Sequence, residues 1–353
     1  MDKMTFREYI LKVLGGVSVA IIIGAAPNAI FGELFKVLST KHHLFSMIYH
    51  IITVSQLTLP ILVGAVVARE FNLNPVETGS VAVATFIASG NVIMNGDQFM
   101  MTGVGDLINT ILLVSIAIPF ILNLRGKLGS IHIIAIPVLA VLVLGTLGRL
   151  TLPFVSQLTR LIGVAVTQVT TLQPLLMSVL IAMIFGTMII SPISTVAIGL
   201  AISLDGLASG AANIGVCSTT AFVVLGSMKV NKSGVTLAAL LGSPKVFMKN
   251  WVSNPKLTVP ILVTSGIAGL GAYLFGVQGT PASAGFGFIG LVGPLTAARL
   301  MEGPLAINLL IAILPFIVIP FIAAKIVNVM FFEKINMLDY TLYQFDEEVD
   351  KEA

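Results

Sequence analysis

Long apolar stretches separated by short polar ones run through almost the whole chain. A transmembrane helix needs about 20 mostly apolar residues, and we therefore expect an all-α polytopic membrane protein with about eight to ten transmembrane helices. The candidate spans are Val13–Phe31, Phe45–Ala68, Gly79–Met94, Leu107–Leu124, Ile131–Leu147, Leu175–Leu204, Leu207–Met228, Thr258–Gly276, Ser283–Leu300 and Pro304–Val329.

Three of these stretches do not have the pattern of a simple span. Gly79–Met94 is short and runs into the polar sequence GNVIMNGDQ, while Leu175–Leu204 is long and contains Ser191-Pro192. Ser283–Leu300 holds five Gly or Pro residues. Because Gly and Pro interrupt helices, we predict half-helices or re-entrant hairpins at these places.

Two further stretches mix polar and apolar residues at helical spacing. Leu152–Leu172 has Gln157, Arg160 and Gln168 among apolar residues, and Val235–Asn250 is similar. Both predict amphipathic helices that lie at the membrane interface or face the protein interior.

Composition excludes a soluble protein of this length. Of 353 residues, 56% are hydrophobic and 10% charged, with a mean hydropathy of +1.03, whereas a soluble domain has roughly 25% charged residues. The basic residues cluster in loops, so the net charge of +3 indicates membrane topology and membrane lipid contact, and no nucleic-acid partner is expected. The single cysteine, Cys217, lies in an apolar run and is predicted to be a buried hydrophobic residue.

The distribution of Lys and Arg predicts the orientation. The densest basic loop, Met228–Lys256, holds five lysines, and the N-terminal segment has Lys3, Arg7 and Lys12. By the positive-inside rule, both termini should be cytoplasmic in a bacterial plasma membrane. This requires Ser283–Leu300 to enter and leave on one side. We divide the chain into a transmembrane domain, 1–331, and an acidic cytoplasmic tail, 332–353.

The stretch Ser191–Gly215 is apolar enough for membrane depth, yet it contains Pro192, Asp205 and several Ser, Thr and Gly residues. Broken backbone at that depth must be buried in protein or line a wet cavity, and an ionisable residue there suggests function. We therefore predict a transport pathway. An ASG sequence followed by Asn occurs here and again in FIASGNV, which ends at Val92. This similarity suggests a two-fold internal repeat.

Several polar residues near membrane depth could bind a solute, and each has a structural alternative. Asp97 lies in a polar turn and could be an exposed loop carboxylate, whereas Asp205 could cap the helix that begins at Gly206. Arg299 and Glu302 are three residues apart and could pair on one helical turn, or Glu302 could accept hydrogen bonds from ligand hydroxyls. The predicted substrate-binding residues are Glu302, Arg299, Asn213, Asn91, Asp97, Ser191, Thr195 and Ser209.

No motif predicts a self-contained enzyme. The sequence has no Gly-rich phosphate loop after a strand pattern, no HExxH and no nucleophile elbow. We therefore predict no catalytic residue, no cofactor and no metal.

The pattern SPISTVAIGLAISLDGLASGAANIGV, with GSPKVFMKNW and GFGFIGLVGP, resembles the membrane (IIC) subunits of the phosphotransferase system over nearly the whole chain. The chain looks most similar to the divergent branch with the PfoR-type regulators of clostridial toxin expression. The resemblance implies a dimeric, all-helical carrier that takes up a sugar for phosphorylation by a partner subunit. Glucose-type members have a sugar-contacting Glu-Pro pair at a re-entrant tip, which here corresponds to Glu302-Gly303-Pro304, with Gly303 inserted.

Phosphoryl transfer in that system needs a IIB domain and a IIA domain, and this sequence shows neither. Separate IIA and IIB subunits could dock on the Met228–Lys256 loop. Alternatively, transport is uncoupled from phosphorylation, as in a secondary transporter, or the protein is a membrane sensor that regulates gene expression. We expect the solute to bind between Ser191–Gly215 and Ser283–Pro304, with alternating access.

Overall fold

A computed structural model describes residues 4–345, except for the side chain of Glu33. In that part, the regular elements are helices and one antiparallel pair of strands, β1 (Val92–Asn95) and β2 (Gln98–Met101). The helices are α1 (Phe6–Leu38), α2 (His43–Leu57), α3 (Leu59–Glu70), α4 (Pro75–Ala88), α5 (Leu107–Leu124), α6 (His132–Leu139), α7 (Thr146–Thr170), α8 (Pro174–Ile190), α9 (Thr195–Ala201), α10 (Gly206–Ser227), α11 (Ser233–Leu237), α12 (Met248–Ser253), α13 (Thr258–Leu274), α14 (Val292–Leu300), α15 (Leu305–Ile313) and α16 (Ile319–Asn328).

Wider π turns join several of these helices into longer apolar rods. Residues 305–334 form one such rod, in which the π turn Leu314–Val318 lies between α15 and α16. Pro315 in that turn has no N–H to donate, and its ring clashes with the carbonyl one turn earlier in a regular helix. A local change of helical pitch removes this conflict without ending the helix.

The expectation of an all-α polytopic membrane protein is confirmed. Within the described residues, six helical segments are long and apolar enough to cross a membrane, and a seventh is counted if the bent pair α2 and α3 forms one span. Four shorter apolar segments also occur, namely Pro75–Ala88, Pro174–Ile190, Ser233–Gly242 and Ile289–Leu300. The count of eight to ten spans and the re-entrant hairpins stay predictions.

The stretch Gly79–Met94 is not a simple span, as its sequence indicated, because α4 ends at Ala88 and the chain then forms the β1–β2 hairpin. Another local expectation was wrong. The stretch Val235–Asn250 is not one amphipathic helix, because it is divided among α11, two short 3₁₀ or π segments and α12. Ser243 is fully extended there (φ −163°, ψ 141°), as expected for a residue before a proline.

The chain forms two compact units. Among the described residues, unit 1 comprises 4–161 and 192–194, and unit 2 comprises 162–191 and 195–345. In unit 1, the carboxylate of Glu77 is fully buried and joins three elements. It accepts hydrogen bonds from the Asn74 backbone N–H (3.0 Å) and the Arg125 guanidinium, and it lies 3.3 Å from Nε2 of His132. It therefore caps α4 and connects the end of α5 to the start of α6.

In unit 2, helix α10 lies at the centre and packs against α8, α13 and α16. Nineteen of its 22 residues are buried. Small residues permit this, since a Cβ on Gly215 would overlap the backbone of Ala182 in α8. Close backbone approach through small residues is the usual basis of helix packing in membranes, where the hydrophobic effect does not drive helices together.

The described part of the C-terminal tail packs onto unit 2. Tyr343 is 1% exposed, and its ring contacts those of Phe222, Phe247 and Phe332. Two amides hold the tail backbone: Asn231 bonds the Tyr343 carbonyl (2.6 Å) and the Phe345 N–H (2.8 Å), and Asn250 donates to two further carbonyls. The domain boundary at residue 331 stays a prediction, but residues 338–345 are part of the packed structure.

Glu77→Gln should destabilise the protein because it leaves the Arg125 guanidinium without its buried counter-ion. We expect a loss of about 2–3 kcal/mol, less than for a fully buried pair since Arg125 is partly exposed. The control is Glu8→Gln, since Glu8 has the same capping role at the N-terminus of α1 but is exposed and Gln can fill that role. Thermal unfolding in detergent measures both, and equal midpoints for the two variants would contradict the role assigned to Glu77.

Tyr343→Ala should release the tail, because removing a fully buried ring leaves a cavity that costs about 3–5 kcal/mol. Tyr343→Phe is the matched control. The Tyr343 hydroxyl is buried and has no hydrogen-bond partner among the described residues, so its removal should leave the unfolding midpoint unchanged or raise it. Limited proteolysis between residues 334 and 345 should be faster only for the alanine variant. Equal proteolysis of the two variants would contradict a packing role for the ring.

Candidate functional site

The helix is interrupted between α8 and α9, where Ser191-Pro192 stops it as predicted. Ser191 bonds back to the Met188 carbonyl through its hydroxyl (2.7 Å), and its own carbonyl accepts a hydrogen bond from Nζ of Lys245. Burial disfavours the charged ammonium and lowers the pKa of Lys245 to about 7. A lysine thus satisfies a carbonyl that the helix break leaves without an intrahelical donor.

The turn from α9 to α10 places Asp205 at the N-cap position of α10, as the helix-cap interpretation of this residue required. However, its side chain makes no capping hydrogen bond, so the cap interpretation was wrong in its chemistry. The Asp205 side chain instead borders a cavity of about 300 Å³, together with Ser203, Thr167 and Thr170. Ser203 has a left-handed backbone (φ 52°), which tightens this turn.

The first turns of α10 hold the segment 277–287. Gly206 and Gly279 exchange two backbone hydrogen bonds of 3.0 Å, and the Ser209 hydroxyl donates to the Thr280 carbonyl (2.8 Å). One turn further, Oδ1 of the buried Asn213 accepts from the N–H groups of Phe286 (3.1 Å) and Gly287 (3.0 Å). Irregular backbone therefore has partners on α10, as burial requires.

Helix α9 holds the same segment from a second direction. The Thr195 hydroxyl donates to the Gly285 carbonyl (2.8 Å), and a Cβ on Gly199 would come within 2.6 Å of the Ala284 methyl group. The predicted proximity of Ser191–Gly215 to the Ser283–Pro304 region is therefore present in unit 2. The side chains of Thr195, Ser209 and Asn213 bond the protein backbone there, and as solute-binding residues they stay predictions.

The end of α13 fixes the position of Gln278. Gly276 has a left-handed backbone (φ 54°), its N–H bonds the Tyr273 carbonyl (3.0 Å), and the Val277 N–H bonds the Ala272 carbonyl (2.9 Å). This is a Schellman motif, which commonly ends a helix at glycine. Gln278 follows directly, and the Gly206–Gly279 pairing holds the next residue.

Glu302 lies in the turn between α14 and α15, and the buried Asn308 organises that turn. The Asn308 amide donates to the carbonyls of Ala298 (2.9 Å) and Met301 (3.0 Å), and it lies 3.4 Å from that of Gly303. These groups include the carbonyls that the end of α14 leaves unpaired. Glu302 is exposed at this turn, and Arg299 is exposed at the end of α14.

A cavity of about 310 Å³ lies between these elements, and we name it the Glu302 cavity. Its other lining residues come from the end of α13, from α14 and from the α15 rod, and most are apolar. They are Phe275, Gly276, Val277, Gln278, Ala297, Leu300, Met301, Ile311, Ala312, Pro315 and Phe316. The structure thus places Glu302 beside Gln278 and the rings of Phe275 and Phe316. None of these three partners was predicted from the sequence to bind a solute.

The remaining candidates, Asn91 and Asp97, belong to unit 1. Asn91 is fully buried and donates from Nδ2 to the Leu57 carbonyl (3.2 Å), whereas Asp97 is exposed in the two-residue turn of the β1–β2 hairpin. The two ASG sequences also differ in backbone: Gly90 is left-handed after the end of α4, while Gly210 is inside α10. Local structure therefore does not support the proposed repeat.

A sequence model of the family described as "Phosphotransferase system, EIIC" matches residues 11–345. The chain belongs to this family. No curated protein and no solved structure matches it.

Membership of the EIIC family makes this chain a multi-pass membrane component of phosphotransferase sugar transport. The family generally has a sugar substrate and IIA and IIB partner subunits. The resemblance inferred from the sequence is thereby confirmed at the level of the EIIC family, and the PfoR-type branch stays a prediction. Among the described residues, no group of His, Cys, Asp or Glu is arranged to hold a metal ion.

Gly210→Ala should disrupt the site, because a Cβ at this position would overlap the Val277 carbonyl. The segment 277–287 must then move away from α10, and hydrogen–deuterium exchange in this segment should rise strongly. Gly234→Ala is the control, since a Cβ there meets nothing within 4 Å. Unchanged exchange in Gly210→Ala would show that this contact does not hold the segment.

Proposed function

We propose that this EIIC protein binds a sugar or a related small polar solute in the Glu302 cavity and moves it across the plasma membrane by alternating access. The observation that supports this best is the state of the Glu302 side chain. It lines a largely apolar cavity and makes no hydrogen bond or ion pair within the described part of the chain. A carboxylate in that position is available to a ligand.

The chemistry of the cavity suits a polyhydroxyl ligand. A carboxylate accepts several directed hydrogen bonds, as hydroxyl groups require when they leave water. The rings of Phe275 and Phe316 and the side chains of Leu300 and Ile311 provide apolar walls for the C–H faces of a sugar ring. Binding sites of small molecules commonly have this composition, with a few polar groups in an apolar cavity.

Alternating access requires parts of the fold that move as bodies. The segment 277–287 is held by hydrogen bonds to Ser209, Asn213, Thr195 and Gly206. We infer that it moves together with α9 and α10, and that the Glu302 turn moves with α14 and α15. Relative movement of these two groups would open or close the cavity.

We further propose that phosphorylation of the sugar needs separate IIA and IIB subunits, which dock on the Met228–Lys256 loop. In this proposal both termini lie in the cytoplasm. Two copies of the chain form a dimer. The five lysines of that loop support the cytoplasmic position by the positive-inside rule. Protease protection in oriented vesicles tests the topology.

Uptake into proteoliposomes tests the transport proposal and its alternatives. The purified protein is reconstituted and supplied with labelled sugars, with and without IIA, IIB and a phosphoryl donor. Phosphorylated product inside the vesicles supports phosphotransferase coupling. Accumulation driven by a proton or sodium gradient alone would instead support a secondary transporter, and binding without flux would support a sensor.

Glu302→Gln should weaken sugar binding about 10- to 100-fold, because a hydrogen bond to a charged acceptor contributes about 1.5–3 kcal/mol. Asp205→Asn is the matched control, since it removes an exposed carboxylate that borders a different cavity. Equilibrium binding of labelled sugar to the purified variants measures both. Equal affinities of Glu302→Gln and the unmodified protein would contradict Glu302 as a ligand.

A further inference from the structure

The polar part of the Glu302 cavity consists of two side chains. Of its twelve lining residues, only Glu302 and Gln278 have polar side chains, and none is Lys, Arg or His. Both residues are exposed, and the Gln278 carboxamide, like the Glu302 carboxylate, makes no hydrogen bond within the described part of the chain. Two polar groups without protein partners therefore share one apolar cavity.

The backbone under each group is fixed independently. Gln278 lies between the Schellman motif at Gly276 and the paired Gly279, while Glu302 lies in the turn that Asn308 organises. Neither side chain contributes to these anchors. The backbone positions of the two residues are therefore fixed, while both side chains keep their full hydrogen-bonding capacity for a ligand.

We propose that Gln278 is a specificity-determining residue of this cavity, where its carboxamide binds a hydroxyl adjacent to the one that Glu302 binds. This inference rests on the proposed function and names the ligand class as a vicinal diol without an anionic group. The carboxylate only accepts hydrogen bonds, whereas the carboxamide both donates and accepts. Together they can satisfy two neighbouring hydroxyls, of which each donates one hydrogen bond and accepts others.

The charge of the cavity supports the exclusion of anions. Because no cationic side chain lines it, an anionic ligand would lie near the Glu302 carboxylate without a compensating charge, and the two negative charges would repel each other. A neutral polyol or an amino sugar avoids this repulsion.

The test uses the full-length protein in nanodiscs and equilibrium binding of labelled glucose, mannitol, galactose and N-acetylglucosamine. For each sugar that binds, its monodeoxy analogues are measured too. Gln278→Ala should weaken binding of the parent sugar about tenfold, the upper range for one hydrogen bond. One deoxy analogue should bind the unmodified protein and Gln278→Ala equally, because it lacks the hydroxyl that Gln278 holds.

Gln278→Glu provides a readout that a merely structural role would not change. A second carboxylate removes the amide donor, so glucose should bind more weakly, whereas protonated glucosamine should gain affinity relative to glucose. Gln168→Ala is the matched control, since Gln168 is an exposed glutamine of α7 that does not line the cavity.

The outcomes separate this inference from the proposed function. Loss of affinity in Gln278→Ala but not Gln168→Ala, with the shift towards glucosamine in Gln278→Glu, supports the assignment. Unchanged affinity and selectivity in both Gln278 variants, while Glu302→Gln binds weakly, would overturn the role of Gln278 and leave the cavity as the sugar site. If no sugar binds the unmodified protein, or if Glu302→Gln binds normally, the proposed function fails and this inference fails with it.

Discussion

The structure of unit 2 depends on one constraint: buried backbone polar groups at helix breaks must find hydrogen-bond partners inside the protein. Each break meets this constraint with a particular side chain. Lys245 bonds the Ser191 carbonyl at the end of α8, Asn213 bonds two N–H groups of the irregular segment, and Asn308 bonds the carbonyls at the end of α14. Because these breaks are satisfied, Gln278 and Glu302 can lie in non-helical backbone with their side chains free for a ligand.

The features that sequence could predict are the local ones. The break at Ser191-Pro192 follows from the chemistry of proline, and the predicted span Leu207–Met228 differs from α10 by one residue at each end. The β1–β2 hairpin had a local signal as well, since Asn95-Gly96-Asp97 between apolar residues is typical of a tight hairpin turn.

The features that sequence could not predict depend on contacts between distant segments. Gln278 follows a helix-ending glycine, which is a local cue, but its position in a cavity depends on the pairing of Gly279 with Gly206, 73 residues earlier. Asn308 is the single polar residue of α15, and only the structure shows that it bonds the preceding turn. Asp205 shows the reverse case: its position at a helix start was evident, yet its side chain does not cap the helix.

Helix α10 has a consequence for how this protein can change over evolutionary time. Its glycines at 210 and 215 contact backbone atoms directly, so any added carbon meets a carbonyl that cannot rotate away, unlike the tip of a flexible side chain. Among the residues that line the Glu302 cavity, Gln278, Leu300 and Ile311 have exposed side chains, which leave room for substitution. Members of the family could therefore acquire new solutes through substitutions around the cavity, while this face of α10 should accept almost none and its sequence should drift least.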